Sequence, residues 1–356
     1  MSTLEKLQFD DLLTQLAEQG ASDLYLSVGS PPMFKIANQL VPATEEVLTA
    51  VKIEELIFPL LAPEQKEQLS KEKALIFGYT FANGLRFKIN LFYQKGNLAA
   101  ELRFVPPVAK SIKDLGLPKQ IEKIAELEKG LVIITGPFNA GKTTTLAAII
   151  EHINTTKQLR IVTLEQPIEF IFTNKQSIVQ QREVGRDTPS FEEGLKDCLE
   201  ASLDVVVVSQ IEEKQTVEKI LELAEQGRLV LAVTGANSAL EAILKLLSFF
   251  DEDEKKRIQD ILSQVLEAVV YQKLVVNRNG EFVVVPEILL QTEAVTLSIR
   301  DNKLNQINNI LRTSVRQGMI SFEQSLANLV KQGEITQEEA LKHVDDKEGF
   351  KRMINW

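Results

Sequence analysis

Leu4, Leu7, Leu12, Leu13 and Leu16 recur at near-helical spacing and Gly20 follows as a stop, so the chain opens on a predicted amphipathic helix. The period then shortens to two. In SDLYLSVG, Leu24, Leu26 and Val28 alternate with polar or interfacial residues; in GLRFKINLF, Leu85, Phe87, Ile89 and Leu91 alternate with Arg86, Lys88 and Asn90. Such alternation predicts strands with one wetted face. With NLAAELRFV as a further strand and PEQKEQLSKEK as a helix, it predicts a small α+β domain over residues 1–108. The proline-bearing VPPVAKSIKDLGLP closes it, and a linker is expected over 109–117.

From about residue 117 the pattern changes to short, wholly apolar runs, LVIIT, LRIVTL, DVVVVS and RLVLAVTG, separated by helical segments. Runs of this kind read as strands buried on both faces, and their alternation with helices predicts a largely parallel sheet over a second domain, 118–356. Helical patterns follow: EKKRIQDILSQVLEAVV is expected as a helix, as is most of the tail from Lys303 to Trp356. The fold class is α/β.

Composition narrows the function. With 356 residues and 44% apolar content the chain has material for two cores. A formal charge of −10 repels phosphate backbones, which argues against a nucleic-acid partner. The single Cys198 forms no internal disulfide, the first residues carry acids where a secretory leader needs bases, and no run reaches the ~18 apolar residues of a membrane span. A cytoplasmic location is expected.

The chemistry centres on GPFNAGKTTT, where Gly136, Gly141, Lys142 and Thr143 fit G-x-x-x-x-G-K-[ST] between a predicted strand and a predicted helix. Backbone N–H groups of such a loop surround phosphate oxygens, the lysine bridges phosphates, and the threonine hydroxyl reaches magnesium. Gly136, Pro137, Asn139, Ala140, Gly141, Lys142, Thr143 and Thr144 are therefore candidate contacts for ATP, with Thr143 the candidate ligand of Mg2+. Phe138 and Asn139 are unusual inside the loop, although Asn tolerates left-handed dihedrals. Glu165 ends the strand LRIVTL before Pro167 turns the chain away, which puts a carboxylate where open α/β sheets bind ligands. Its competing reading is a solvated loop acid. Arg182 and Arg186 are either phosphate contacts or plain surface, and His152 and His343 show no ligand spacing.

The segments ASDLYLS, GLVIITGPFNAGKTTTLAAII, TLEQPIEF, QREVGRDTPSFEEGL, LAEQGRLVLAVTGANSA, LEAVVYQKL and GMISFEQSLANLV resemble, in order and spacing, the retraction ATPases of bacterial type IV pili, the PilT/PilU-like branch of the secretion-ATPase superfamily. The resemblance implies an N-terminal PAS-like domain, a RecA-like P-loop ATPase domain with C-terminal helices, and a hexameric ring. It also implies docking on an inner-membrane platform protein of the pilus, hence a peripheral place at that membrane.

Departures from the family are concentrated at one site. The family writes a glycine and a catalytic glutamate after the core strand, where this chain has Ser209 and Gln210; an aspartate after the acidic-box glutamate, where it has Gln166; and a histidine where it has Gly235. Of the N-terminal arginines that the family supplies to nucleotide, Arg86 and Arg103 remain, while Lys88 and Gly96 replace others. An amide is a far poorer base than a carboxylate. The expectation is an ATP-binding, hydrolysis-impaired subunit of a homo-hexamer or of a mixed ring with an active motor. Two alternatives stay open: a working ATPase in which Glu212 or Glu213 replaces the lost acid, and a structural ring that binds no nucleotide.

Overall fold

A computed structural model of the chain describes residues 3–36, 39–106 and 109–354, with side chains in the first helix described from Phe9 onward. The side chains of the expected apolar positions Leu4 and Leu7 are not among those described, and the domain edge at Val108 and the final residue Trp356 lie outside the described residues. Two units are present, each with its own core.

The first unit comprises Met1–Val108 together with Pro167–Ile171. Its elements are α1 (Thr3–Glu18), β1 (Asp23–Leu26), β2 (Met33–Ile36), β3 (Gln39–Pro42), α2 (Ala50–Ile57), α3 (Pro63–Glu72), β4 (Ala74–Thr80), β5 (Arg86–Gln94) and β6 (Asn97–Val105). The strands form an antiparallel sheet in the order β3-β2-β1-β6-β5-β4. Leu24 and Leu26, with Phe87, Ile89 and Leu91, face a core shared with Leu13, Leu16, Ile53 and Ile57 of the helices, as the two-residue alternation expects. Gly78 on β4 leaves room for the segment 167–171: a Cβ there would stand 2.8 Å from the carbonyl oxygen of Ile168. Ile168 and Phe170 are buried, and Arg86 donates through Nε and Nη2 to the carbonyl of Ile168 and through Nε to that of Glu169.

The second unit comprises Ala109–Gln166 and Phe172–Trp356. Residues 109–117 fall inside it, with Ile112 and Leu117 buried against Ile121 and Ile124 of α4 (Lys119–Ala125). There follow β7 (Gly130–Thr135), α5 (Lys142–Thr156), β8 (Arg160–Glu165), β9 (Ile178–Glu183), α6 (Phe191–Glu200), β10 (Val205–Val208), α7 (Lys214–Glu225), β11 (Leu229–Val233), α8 (Ala239–Ser248), α9 (Glu252–Val265), β12 (Leu266–Val276) and β13 (Phe282–Leu290). The sheet runs β13-β12-β7-β11-β10-β8-β9 and is parallel except for β13. Both faces are covered. Along β10, Val206 and Val208 point into the layer holding Val217, Ile220 and Ile243, while Val205 and Val207 point into the layer holding Ile149 and Ile153. The tail forms α10 (Glu293–Arg300), α11 (Ile307–Thr313), α12 (Phe322–Lys331), α13 (Gln337–Leu341) and α14 (Lys347–Ile354).

One expected helix is too long. In EKKRIQDILSQVLEAVV the helix α9 stops at Val265, and LEAVV begins β12, which pairs with β7 on one side and β13 on the other. Backbone pairing to two neighbours overrides a weak local helical preference.

Candidate nucleotide site

Strands β7, β11, β10 and β8 are consecutive neighbours and parallel, so their carboxyl ends open along one edge of the sheet. That edge collects the loop 136–141 from β7, Thr234 and Gly235 from β11, Ser209 and Gln210 from β10, and Glu165 and Gln166 from β8. Residues distant in sequence thus meet in one crevice.

The loop is shaped for a phosphate chain. Gly136 has φ 154°, and a Cβ on it would stand 2.3 Å from the carbonyl oxygen of Gln272, so no other residue fits. Asn139 takes the left-handed region at φ 59°, and Gly141, at φ 82°, caps α5 with no side-chain acceptor on the first N–H groups. By contrast α6, α8 and α12 are capped by Ser190, Ser238 and Ser321. Lys142 Nζ folds back onto the carbonyls of Gly136 and Pro137 at 2.9 and 2.7 Å. Burial, and then the nearby Lys245 charge, push its pKa below the ordinary 10.5. Thr143 and Thr144 are half-buried on the first turn of α5, and Ala140 is buried. Phe138 is 87% exposed at the loop tip. Loop, helix start and lysine suit a polyphosphate.

Gln272, on β12, is a residue that sequence reading misses. Wholly buried, it donates from Nε2 to the carbonyl of Ala140 at 2.7 Å and so pins the loop to the sheet. Its signal was an amide in LEAVVYQKLVV, of which the sequence reading assigned only LEAVV, as the end of a helix. Among the described residues, Gln272 Oε1, Thr135 Oγ1 and Thr234 Oγ1 are buried oxygens without a hydrogen-bond partner, on the adjacent strands β12 and β7 and just past β11. Polar capacity at this edge exceeds what the protein itself uses.

Glu165 is only 7% exposed rather than a solvated loop acid. Its Oε1 accepts from Thr163 Oγ1 at 2.7 Å and from Gln181 Nε2 at 3.0 Å. Next to it, Gln210 Nε2 donates to Gln166 Oε1 at 3.2 Å, and the Gln166 N–H donates to Ser209 Oγ at 3.2 Å. The three residues that depart from the family just past β8 and β10 therefore bind one another. Gly235 has open space around it: the nearest neighbour of a Cβ there would be Lys245 Nζ, 3.9 Å away.

The remaining candidates are engaged elsewhere. Arg86 holds the 167–171 segment as described, and Arg103 Nε donates to Asp23 at 2.8 Å within the first unit. Arg182 pairs with Asp197 at 2.8 Å, and Arg186 stands 3.9 Å from Asp187. His152 meets Glu126, and His343 meets Glu339. Glu212 and Glu213 are both exposed just before α7. Burial pushes the Cys198 thiol up to about 11, which leaves it unreactive at neutral pH.

Residues 101–349 match the family model described as type II/IV secretion system protein. The type IV pilus ATPase PilU of Pseudomonas aeruginosa is 33% identical over 98% of this chain and 91% of its own length. The chain belongs to the type IV pilus retraction ATPase family. The retraction ATPase PilT of the same organism is 32% identical over 97% of this chain and 100% of that protein. A crystal structure of the retraction motor PilT with bound ADP superimposes with a TM-score of 0.86 at 33% identity, covering 96% of this chain and 98% of that one. The two-unit α/β fold, a PAS-like domain followed by a RecA-like domain, is thus that of the retraction ATPases. No helix among the described residues is long and apolar enough to cross a membrane.

Proposed function

We propose that this chain is an ATP-binding ring subunit of type IV pilus retraction whose own hydrolysis is impaired, and that it serves beside an active motor. The observation that carries the reading is the Gln210–Gln166 hydrogen bond. At the end of β10, where a hydrolase needs a group to take a proton from water, there is an amide occupied by a second amide. Two carboxylates so close would repel unless a cation or proton sat between them; two amides satisfy each other without either. Glu165 remains as the carboxylate of the site, already accepting two hydrogen bonds, which leaves room for slow turnover.

Binding is assigned to the loop. Gly136, Pro137, Asn139, Ala140 and Gly141 would surround the phosphates with N–H groups, Lys142 would exchange its own loop carbonyls for phosphate oxygens, and Thr143 would offer its hydroxyl to magnesium. The metal would neutralise phosphate charge. Arg86 and Arg103 remain proposed contacts to nucleotide, whose phosphate oxygens would have to compete for these donors with their present acceptors. The assembly is a hexamer, of this chain alone or mixed with the active motor, on the cytoplasmic side of the inner membrane against the pilus platform protein.

The test is ATP affinity and turnover on one preparation, alone and with the active homologue. Magnesium-dependent binding that Lys142→Ala abolishes is expected, with turnover ~100- to 10,000-fold below that of an enzyme keeping its general base. Turnover near ~1 per second would make the chain a motor in its own right. Absence of binding would leave a structural ring.

A further inference from the structure

Thr163 and Gln181 are directly opposite on the parallel strands β8 and β9, and Glu165 lies two residues beyond Thr163, so all three side chains project from one face of the sheet. It is the face that α5 covers: Ile161 on β8 and Val179 on β9, two residues before Thr163 and Gln181, are buried with Ile149 and Ile153. The helix that begins at Lys142 and Thr143 therefore lies on the side from which Glu165 projects. There two donors converge on one oxygen. Glu165 Oε1 accepts from Thr163 Oγ1 at 2.7 Å and from Gln181 Nε2 at 3.0 Å. The direction of the Gln181 amide is set from its other end. Its Oε1 accepts the Phe172 N–H at 2.9 Å, and a backbone N–H only donates, so the amide oxygen must face Phe172 and Nε2 must face Glu165. Phe172 is the first residue of the second unit after the segment Pro167–Ile171. One half-buried amide thus closes the neck of that segment and orients the carboxylate of the crevice.

The terminal torsion of a glutamate is broad, so one hydrogen bond from Thr163 does not by itself fix the plane of the carboxylate; a second donor on the same oxygen does. Carboxylates that serve a metal ion take their orientation from outer partners of this kind, and losing one weakens metal binding or activity. We propose that Gln181 is the positioning residue of Glu165, holding its carboxylate in the orientation that serves the magnesium complex of a bound nucleotide. The proposal rests on the nucleotide-binding reading above and adds to it a residue outside the phosphate loop. Gln181 acts through Glu165 rather than by contact with nucleotide or metal.

The test is calorimetric binding of a non-hydrolysable ATP analogue, in magnesium and in chelator, to the full chain and to Gln181→Leu, Gln181→Asn, Glu165→Gln and the double variant Gln181→Leu/Glu165→Gln, with melting temperatures alongside. Leucine removes both hydrogen bonds, and asparagine is one methylene too short to make both. For each Gln181 variant the affinity in magnesium is expected to fall ~10- to 100-fold, with the affinity in chelator unchanged. In the Glu165→Gln background, Gln181→Leu should cost nothing further, because no carboxylate is left to orient. If Gln181 only closes the neck at Phe172, its loss will weaken binding equally in both backgrounds, in chelator as in magnesium, and lower the melting temperature; that result overturns the proposal. So does Glu165→Gln protein that binds as wild type does, since Gln181 would then have nothing to position. Wild-type protein that binds no nucleotide would defeat the nucleotide reading and this proposal together. Wild-type binding with inert Gln181→Leu and Gln181→Asn defeats this proposal alone.

Discussion

A side chain's role here depends on what it already holds. Gln210→Glu would place a carboxylate opposite the Gln166 amide, whose Nε2 can turn to donate to it, so the folded protein should accept the change. Recovery of hydrolysis is expected to be partial, because Gln166 and Gly235 still depart from the family; adding Gln166→Asp and Gly235→His should raise it further, the space at 235 being open. Turnover of the single and triple variants under saturating ATP checks the order. Gln272→Leu removes the donor that satisfies the Ala140 carbonyl, and leaving that group unpaired costs about 1–3 kcal/mol. A lower melting temperature together with weaker ATP binding is expected; unchanged binding would show that the loop keeps its shape without the clamp. Lys142 adds a pH dependence. Its pKa in the nucleotide-free protein is below 10.5, and phosphate raises it again, so binding takes up a proton once Lys142 begins to deprotonate. ATP affinity should be level at neutral pH and fall through the alkaline range, earlier than for an ordinary lysine. Lys142→Arg should abolish that slope.

Among the elements, those with a clean period were legible in the sequence and those defined by their neighbours were not. The two-residue alternation marked β5, and the four valines marked β10, because each strand's burial is written in its own residues. The hairpin of β12 and β13 was hidden, although Asn279–Gly280 at its turn is a hairpin signal and VVVPEILL a run of strand formers. Its first strand is fixed by pairing with β7 and its second by pairing with the first, partners that no local window contains. The same limit hid Gln272 and Lys245, whose partners lie on other elements, whereas the loop's pattern was legible because its residues are consecutive. In the first sheet, Asp23 on β1 and Arg103 on β6 are directly opposite, and Arg103 is in turn opposite Lys88 on β5. Asp23 is 2% exposed, so Arg103→Ala leaves a buried carboxylate with the Ser22 hydroxyl but no cation, and should destabilise the unit by up to about 3 kcal/mol. Asp23→Asn in the same background should recover part of that loss in denaturant titration. No recovery would mean that Arg103 stabilises through its packing instead.

For the whole molecule, neither unit is a continuous stretch of chain, because Pro167–Ile171 is counted with the first unit while the residues on both sides belong to the second. The segment brings buried Ile168 and Phe170, each worth about 1.5–3 kcal/mol when fully covered, and the carbonyls that Arg86 holds. A fragment of residues 1–108 should therefore exchange the amide protons of β4 and β5 faster than the full chain does. Equal protection would show that the segment adds nothing to the unit. The arrangement also sets an order on biosynthesis. Translation proceeds from the N-terminus, so the first unit cannot finish folding when residue 108 has left the ribosome; it waits until residue 171 has emerged. By then β7, the glycine loop 136–141, α5 and β8 have all been made, so the nascent chain holds that loop before its first domain is closed.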